Sequence, residues 1–268
     1  MDLLALVGSI AIPWWLGVVL YRLVPEHGAP RQGSGTMAWT LGSGWLVGAF
    51  VLTLWMRALS MAGIAFGFMV VALPLLFVSL LATAWLWRRD SGSMDSGLGG
   101  ALRTLAGTGL ERWKRAAWFA LLGWLMLRFA LLLFENIERP LYAWDAWAHW
   151  ATKARVWFEL KAIVPFVGAG EWLQATGLAY TDYNPHYPGT VPLLQVWSAL
   201  ALGRWDDALV NVPWWVTGIA LGLAIYGFLA QRGFDALTAL VGAWLVVSLP
   251  ILDAHVALPG YADLPLAA

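Results

Sequence analysis

Residues 191–202 read VPLLQVWSALAL, and the placement of this run decides the topology. Twelve apolar-rich residues in a helix extend roughly 18 Å, short of the roughly 30 Å hydrocarbon core of a bilayer. The run is therefore expected to enter or rest on the membrane without crossing it. If it crossed, Asp145 and Asp263 would face opposite compartments and share no site. If it does not, both carboxylates face one aqueous side.

Longer apolar runs flank it. Residues 208–230 are long enough to cross, and 231–235 form a tight turn carrying Arg232. Residues 236–251 then lead back and end at Pro250. Towards the N-terminus, residues 3–21, 36–56, 61–87 and 116–134 each read as a span, with Pro74 an expected kink. Asp2 stands where a signal peptide would carry basic residues, so the first run reads as a membrane helix. The chain is 60% hydrophobic and 12% charged, with a mean hydropathy of +0.69. That composition belongs to an integral membrane protein. The expected fold class is all-α, with about six transmembrane helices and non-spanning amphipathic helices on the outer face.

Zero net charge leaves no basic footprint for nucleic acid. The absence of cysteine excludes disulfides, thiol catalysis and cysteine-ligated metals. The four histidines are too dispersed for a spaced metal motif. Residues 88–115 form a Gly/Ser-rich loop in which Arg88, Arg89, Arg103, Arg112, Lys114 and Arg115 outnumber Asp90, Asp95 and Glu111. The positive-inside rule makes this loop cytoplasmic. Residues 116–134 then lead outward, with Arg128 near the outer end, where it can snorkel or pair. Residues 135–207 become a first outer loop, and a second begins at 252.

The first outer loop opens with PLYAWDAWAHWATKARVWF, residues 140–158. At about 100° per residue, Asp145, His149, Thr152, Lys153, Arg155 and Glu159 share one arc. Trp147, Trp150, Ala154, Trp157 and Phe158 share the other. The expectation is an amphipathic helix on the membrane surface, tryptophans in the lipid boundary and polar face towards a site. The second dense patch is DYNPHYPGTVPLLQ, residues 182–195, where Pro185, Pro188 and Gly189 forbid regular helix until 191.

Three segments together resemble the GT-C-type glycosyltransferases. That superfamily includes the protein O-mannosyltransferases, the lipid A aminoarabinose transferases and the bacterial lipopolysaccharide sugar transferases. WDAWAHWATKARVWFE (144–159) resembles their first outer loop. YNPHYPGTVPLLQVW (183–197) resembles the His/Tyr-Pro-Pro-Leu segment that follows, and GYADLPLA (260–267) their second outer loop. The resemblance covers residues 116–268. Residues 1–115 hold three additional helices and the basic loop, and the end at 268 is expected to mark an N-terminal fragment of a longer protein.

The resemblance implies a plasma-membrane enzyme with its active site on the periplasmic or extracellular side. Its implied partners are a polyprenyl-phosphate-linked sugar donor, membrane lipids and an unidentified glycan, lipid or protein acceptor. It implies no nucleotide sugar. Asp145 matches the acid that acts as general base or ligates a metal; no cofactor is otherwise called for. Many relatives carry Asp-Glu there, whereas this chain has Asp145-Ala146, so the second carboxylate is Asp263 or is missing.

On their own chemistry, Lys153 and Arg155 suit a phosphate or a lipid headgroup. His149 lies one turn from Asp145. His186 and Tyr187 sit in a proline-stiffened loop suited to positioning substrate, or simply to turning the chain. Tyr261 adjoins Asp263 and joins the substrate-binding set. Asp145 and Asp263 also suit helix N-caps. The rival class is a non-catalytic polytopic protein, such as a transporter subunit or envelope assembly factor. A transporter is expected to hold ionisable residues within its spans.

Overall fold

The computed structural model describes residues 2–24, 35–89 and 110–268. Most of the basic loop 88–115, and the connector before residue 35, fall outside them. Among the described residues the chain is almost wholly helical.

The spans follow the apolar runs. They are α1 (Asp2–Leu23), α2 (Thr36–Met61), α3 (Phe68–Arg89) and α4 (Arg112–Glu138). After a long excursion comes α8 (Val212–Gln231), extended at its start by a 3-10 turn, Leu209–Asn211. Each is long and apolar enough to cross a bilayer.

Between α4 and α8 lie a π-helical turn (Ala146–Ala151), α5 (Thr152–Leu160), β1 (Phe166–Val167), α6 (Ala169–Gln174), β2 (Tyr180–Thr181) and α7 (Thr190–Leu202). After α8 come α9 (Ala236–Val247), α10 (Pro250–Ala257) and α11 (Asp263–Ala267). The expected continuous span over 236–251 is corrected. It breaks at Ser248–Leu249, and α9 and α10 meet at 67°. Leu249 takes an extended conformation (φ −61°, ψ 133°) before Pro250, as the steric demand of a following proline favours. The described residues thus give five spans, or six if the bent pair counts as one.

Helix α7 has 13 residues, about 20 Å. Every residue from Val191 to Leu200 is buried, so α7 is an interior helix rather than a surface one. Trp197 stacks on Phe68 of α3, with centroids 4.9 Å apart, and its indole donates to the Ser9 carbonyl of α1 at 2.7 Å.

Helix α2 lies between α1 and α8 through close backbone contact. A Cβ on Gly48 would stand 1.7 Å from the Pro13 carbonyl oxygen, and one on Gly42 would stand 2.4 Å from that of Ala220. Small residues at helix interfaces give this approach, which dispersion then stabilises without help from water. Buried amides tie the other helices. Gln195 donates to Asn211 Oδ1 at 2.9 Å. Asn136 of α4 donates weakly to the carbonyls of Asn211 and Val256, at 3.4 and 3.3 Å.

These contacts fix the parity. At one end of the bundle the α2–α3 turn meets α5, with the Phe66 N–H donating to the Lys161 carbonyl at 2.6 Å. The same end holds the bond from Trp214 Nε1 to the Tyr261 carbonyl, 2.7 Å. At the opposite end Lys114 pairs with Asp235 at 3.2 Å. The excursion 139–208 and the segment from 253 onward therefore share one end.

Candidate functional site

The site is built on the segment between α4 and α8, and the local helix form sets its faces. From Ala146 to Ala151 the backbone is π-helical, and the Thr152 hydroxyl donates to the Trp147 carbonyl five residues back, at 2.6 Å. A π-turn holds more residues than an α-turn, so the regular wheel fails here. The expected separation into a polar face and a tryptophan face is corrected accordingly. His149 and Lys153 are buried, and so are Trp150, Trp157 and Phe158. Asp145, Trp144, Trp147 and Arg155 are exposed. Trp157 points into the core and donates to the Val164 carbonyl at 2.9 Å.

Lys153 is the centre of the arrangement. Only 1% of the residue is exposed. Its Nζ lies 2.7 Å from Asp182 Oδ2 and donates to the Asn184 carbonyl at 2.7 Å. The rings of Phe166 and Tyr187 flank it, with centroids 5.9 and 5.8 Å away, a distance at which ring faces attract a cation. The short sheet explains how Asp182 arrives there. Strands β1 and β2 run parallel, with Phe166 opposite Tyr180 and Val167 opposite Thr181. The chain leaves β2 directly into Asp182. Asp182 Oδ1 is buried without a hydrogen-bond partner.

The same contacts bind the two predicted motifs to each other. His149 Nε2 lies 3.3 Å from the Asn184 amide nitrogen and 4.0 Å from Asp145 Oδ1. Its Nδ1 is buried and unpartnered. Tyr187 stacks on Trp150, centroids 5.1 Å apart and planes 16° from parallel. His186 is exposed within the turn before it. Arg155 is exposed and forms no ion pair among the described residues. Lys161 closes α5 in the left-handed region (φ 56°). Burial lowers its pKa against the opposing charge of Glu159.

Asp145 precedes the π-turn, yet its side chain makes no capping bond; its side chain is 52% exposed. The carboxylate is therefore available to another group. Asp263 is the first residue of α11, is 67% exposed and stands 3.8 Å from His255 Nε2. Tyr261 packs its ring 5.1 Å from that of His255. The two segments are neighbours. A Cβ on Gly260 would stand 2.6 Å from the Ala146 Cβ, and Gly260 adopts a φ of +106°. Among the described residues no three metal-type ligands converge.

Two cations outside the expected set occupy positions of interest. Arg128 in α4 pairs with Asp253 of α10 and bonds Ser248 at the α9–α10 break. Arg57 in α2 donates to the Thr190 hydroxyl at 3.4 Å. Neither Arg57 nor Asp182 has a local sequence signal. Arg57 ends an apolar run, and Asp182 opens a turn-rich patch.

The fold defines a polytopic helical membrane protein whose three motif segments share one end of the bundle. No family model, curated protein or solved structure matches the chain. A functional reading therefore rests on the three motif segments and on the chemistry at that end.

Proposed function

We propose that this protein transfers a sugar from a polyprenyl-phosphate donor to an acceptor at the outer face of the plasma membrane. The observation that carries the reading is the state of Asp145. Its carboxylate is exposed and uncapped, beside a buried histidine and against the segment that bears Asp263. Such a group suits a general base on an acceptor hydroxyl or amine, or a ligand to a divalent metal. Asp263, with His255 and Tyr261 around it, is the second carboxylate. His186 and Tyr187 form the positioning wall, and the Lys153–Asp182 pair holds that wall on the helix. Arg155 supplies an exposed cation near the lipid boundary, where Trp144 and Trp147 sit comfortably.

The part-buried Arg128–Asp253 pair and the broken span beside it favour the transporter reading, since transport sites use discontinuous helices and intramembrane charges. One comparison separates the two. Vesicles containing the protein receive a polyprenyl-phosphate-linked sugar labelled in the sugar. Label appearing in an acceptor fraction, with polyprenyl phosphate released, supports transfer. Label that crosses the membrane still attached to its original carrier supports transport instead.

A further inference from the structure

Arg57 is a part-buried guanidinium in a membrane-crossing helix, four residues before the end of α2. Its partners are meagre. One nitrogen reaches the Thr190 hydroxyl at 3.4 Å, at the limit of a hydrogen bond. Among the described residues no carboxylate lies within ion-pair range of it. The contrast with its neighbours is informative. Lys153 is neutralised by Asp182 and Arg128 by Asp253. A cation in a bilayer-facing helix is costly unless it reaches water, pairs, or binds something. Arg57 is part-buried rather than exposed. It points towards the 182–190 turn, where a Cβ added to Gly189 would stand 3.4 Å from its nitrogen and 2.6 Å from the Trp157 ring. It is thus a planar, permanently charged fork at the site end of the bundle, with a hydroxyl beside it and no anion. That set matches a phosphate oxygen pair better than any other common anion at a membrane boundary.

We propose that Arg57, assisted by the Thr190 hydroxyl, binds the phosphate of a membrane lipid. The lipid is either the polyprenyl phosphate of the sugar donor or a phospholipid of the surrounding bilayer. The first source rests on the sugar-transfer reading; the anion site itself does not. Lys153, already spent on Asp182 and Asn184, is then a structural cation, and the phosphate falls to a helix that precedes the motif-bearing segments.

The purified full chain in neutral detergent is titrated with three lipids and read by native mass spectrometry: a long-chain polyprenyl phosphate, the matching uncharged polyprenol, and phosphatidylglycerol. The polyprenyl phosphate binds at least about tenfold tighter than the polyprenol, and Arg57→Gln removes that preference; about tenfold is the scale of one charge-assisted hydrogen bond. Arg57→Lys, which keeps charge but loses the fork, and Thr190→Val each weaken binding several-fold. They also keep the test decisive if Arg57→Gln does not fold. If phosphatidylglycerol binds as well as polyprenyl phosphate and loses affinity equally in Arg57→Gln, the site is a headgroup site. The phosphate assignment then stands while the donor assignment fails. Phosphate-lipid affinity unchanged in Arg57→Lys and Thr190→Val, and in Arg57→Gln if it folds, overturns the proposal. Sugar transfer that fails while the Arg57-dependent binding persists sinks the functional reading and leaves the anion site intact.

Discussion

Replacing Lys153 with methionine removes the cation from a carboxylate that has nowhere to go. The Asp182 side chain is fully buried and the Lys153 side chain 2% exposed, and Asp182 Oδ1 already lacks a partner. In Lys153→Met the stem is replaced at nearly constant volume, so packing against Phe166 and Tyr187 is largely kept. What is lost is the 2.7 Å ion pair and the bond to the Asn184 carbonyl. Breaking one side of a buried pair costs about 3–5 kcal/mol, because the other charge stays buried and uncompensated. Asp182→Leu should cost a similar amount through the stranded ammonium. The double variant Lys153→Met/Asp182→Leu strands neither charge and should cost less than either single variant, giving a coupling of about 3 kcal/mol or more. The assay is reversible unfolding in mixed micelles for the four proteins of the cycle. Additive losses, or single-variant losses below about 1 kcal/mol, would refute the claim that this pair joins the two motif segments.

Three further outcomes are expected. Asp235 caps α9 by accepting from the Thr238 amide at 2.8 Å, so Asp235→Ala should cost about 1 kcal/mol and Asp235→Asn much less. The Thr238 amide bond holds the Asp235 carboxyl below its ordinary range. Its advantage over alanine should therefore be full above about pH 4 and fade as the pH falls through the lowered folded value, in denaturation curves run across that window. Gly48→Ala should loosen the α1–α2 contact, since the new Cβ meets the Pro13 carbonyl at 1.7 Å; overpacking on this scale costs about 1–3 kcal/mol and would show as lower thermal stability in detergent. Single cysteines at 145 and 263 should react with an impermeant thiol reagent from one side of the membrane, and one at 235 from the other; labelling of 145 and 263 from opposite sides would contradict the parity.

Much of this architecture follows from local chemistry. Apolar length alone locates the spans, because 1.5 Å per residue against a fixed hydrocarbon thickness leaves little freedom. The same arithmetic separates α7 from the crossing helices. The interior position of α7 was not legible, since length says nothing about what surrounds a helix. The break at Leu249 had a visible cause in Pro250, but the wheel over 140–158 had none. Its faces depend on a π-turn braced by Thr152, and a regular period cannot register an extra residue in one turn. The partner of Lys153 lies 29 residues further on and arrives through a two-residue strand pair. Such a contact is tertiary and leaves no pattern along the chain. Asp145 was readable as a residue type, and the exposed, uncapped state of its carboxylate is what the structure adds.

The central claim is that the charge of Asp145 serves chemistry at this end of the bundle. The direct measurement is the rate of sugar transfer from a polyprenyl-phosphate donor by the complete protein and by its Asp145→Asn variant, at matched expression. Asparagine keeps the shape and removes the base, so the rate should fall by on the order of a hundredfold or more, while the fold and the Lys153–Asp182 pair remain. Turnover within a few-fold of the parent would contradict the account, remove Asp145 from the mechanism and pass the role to Asp263.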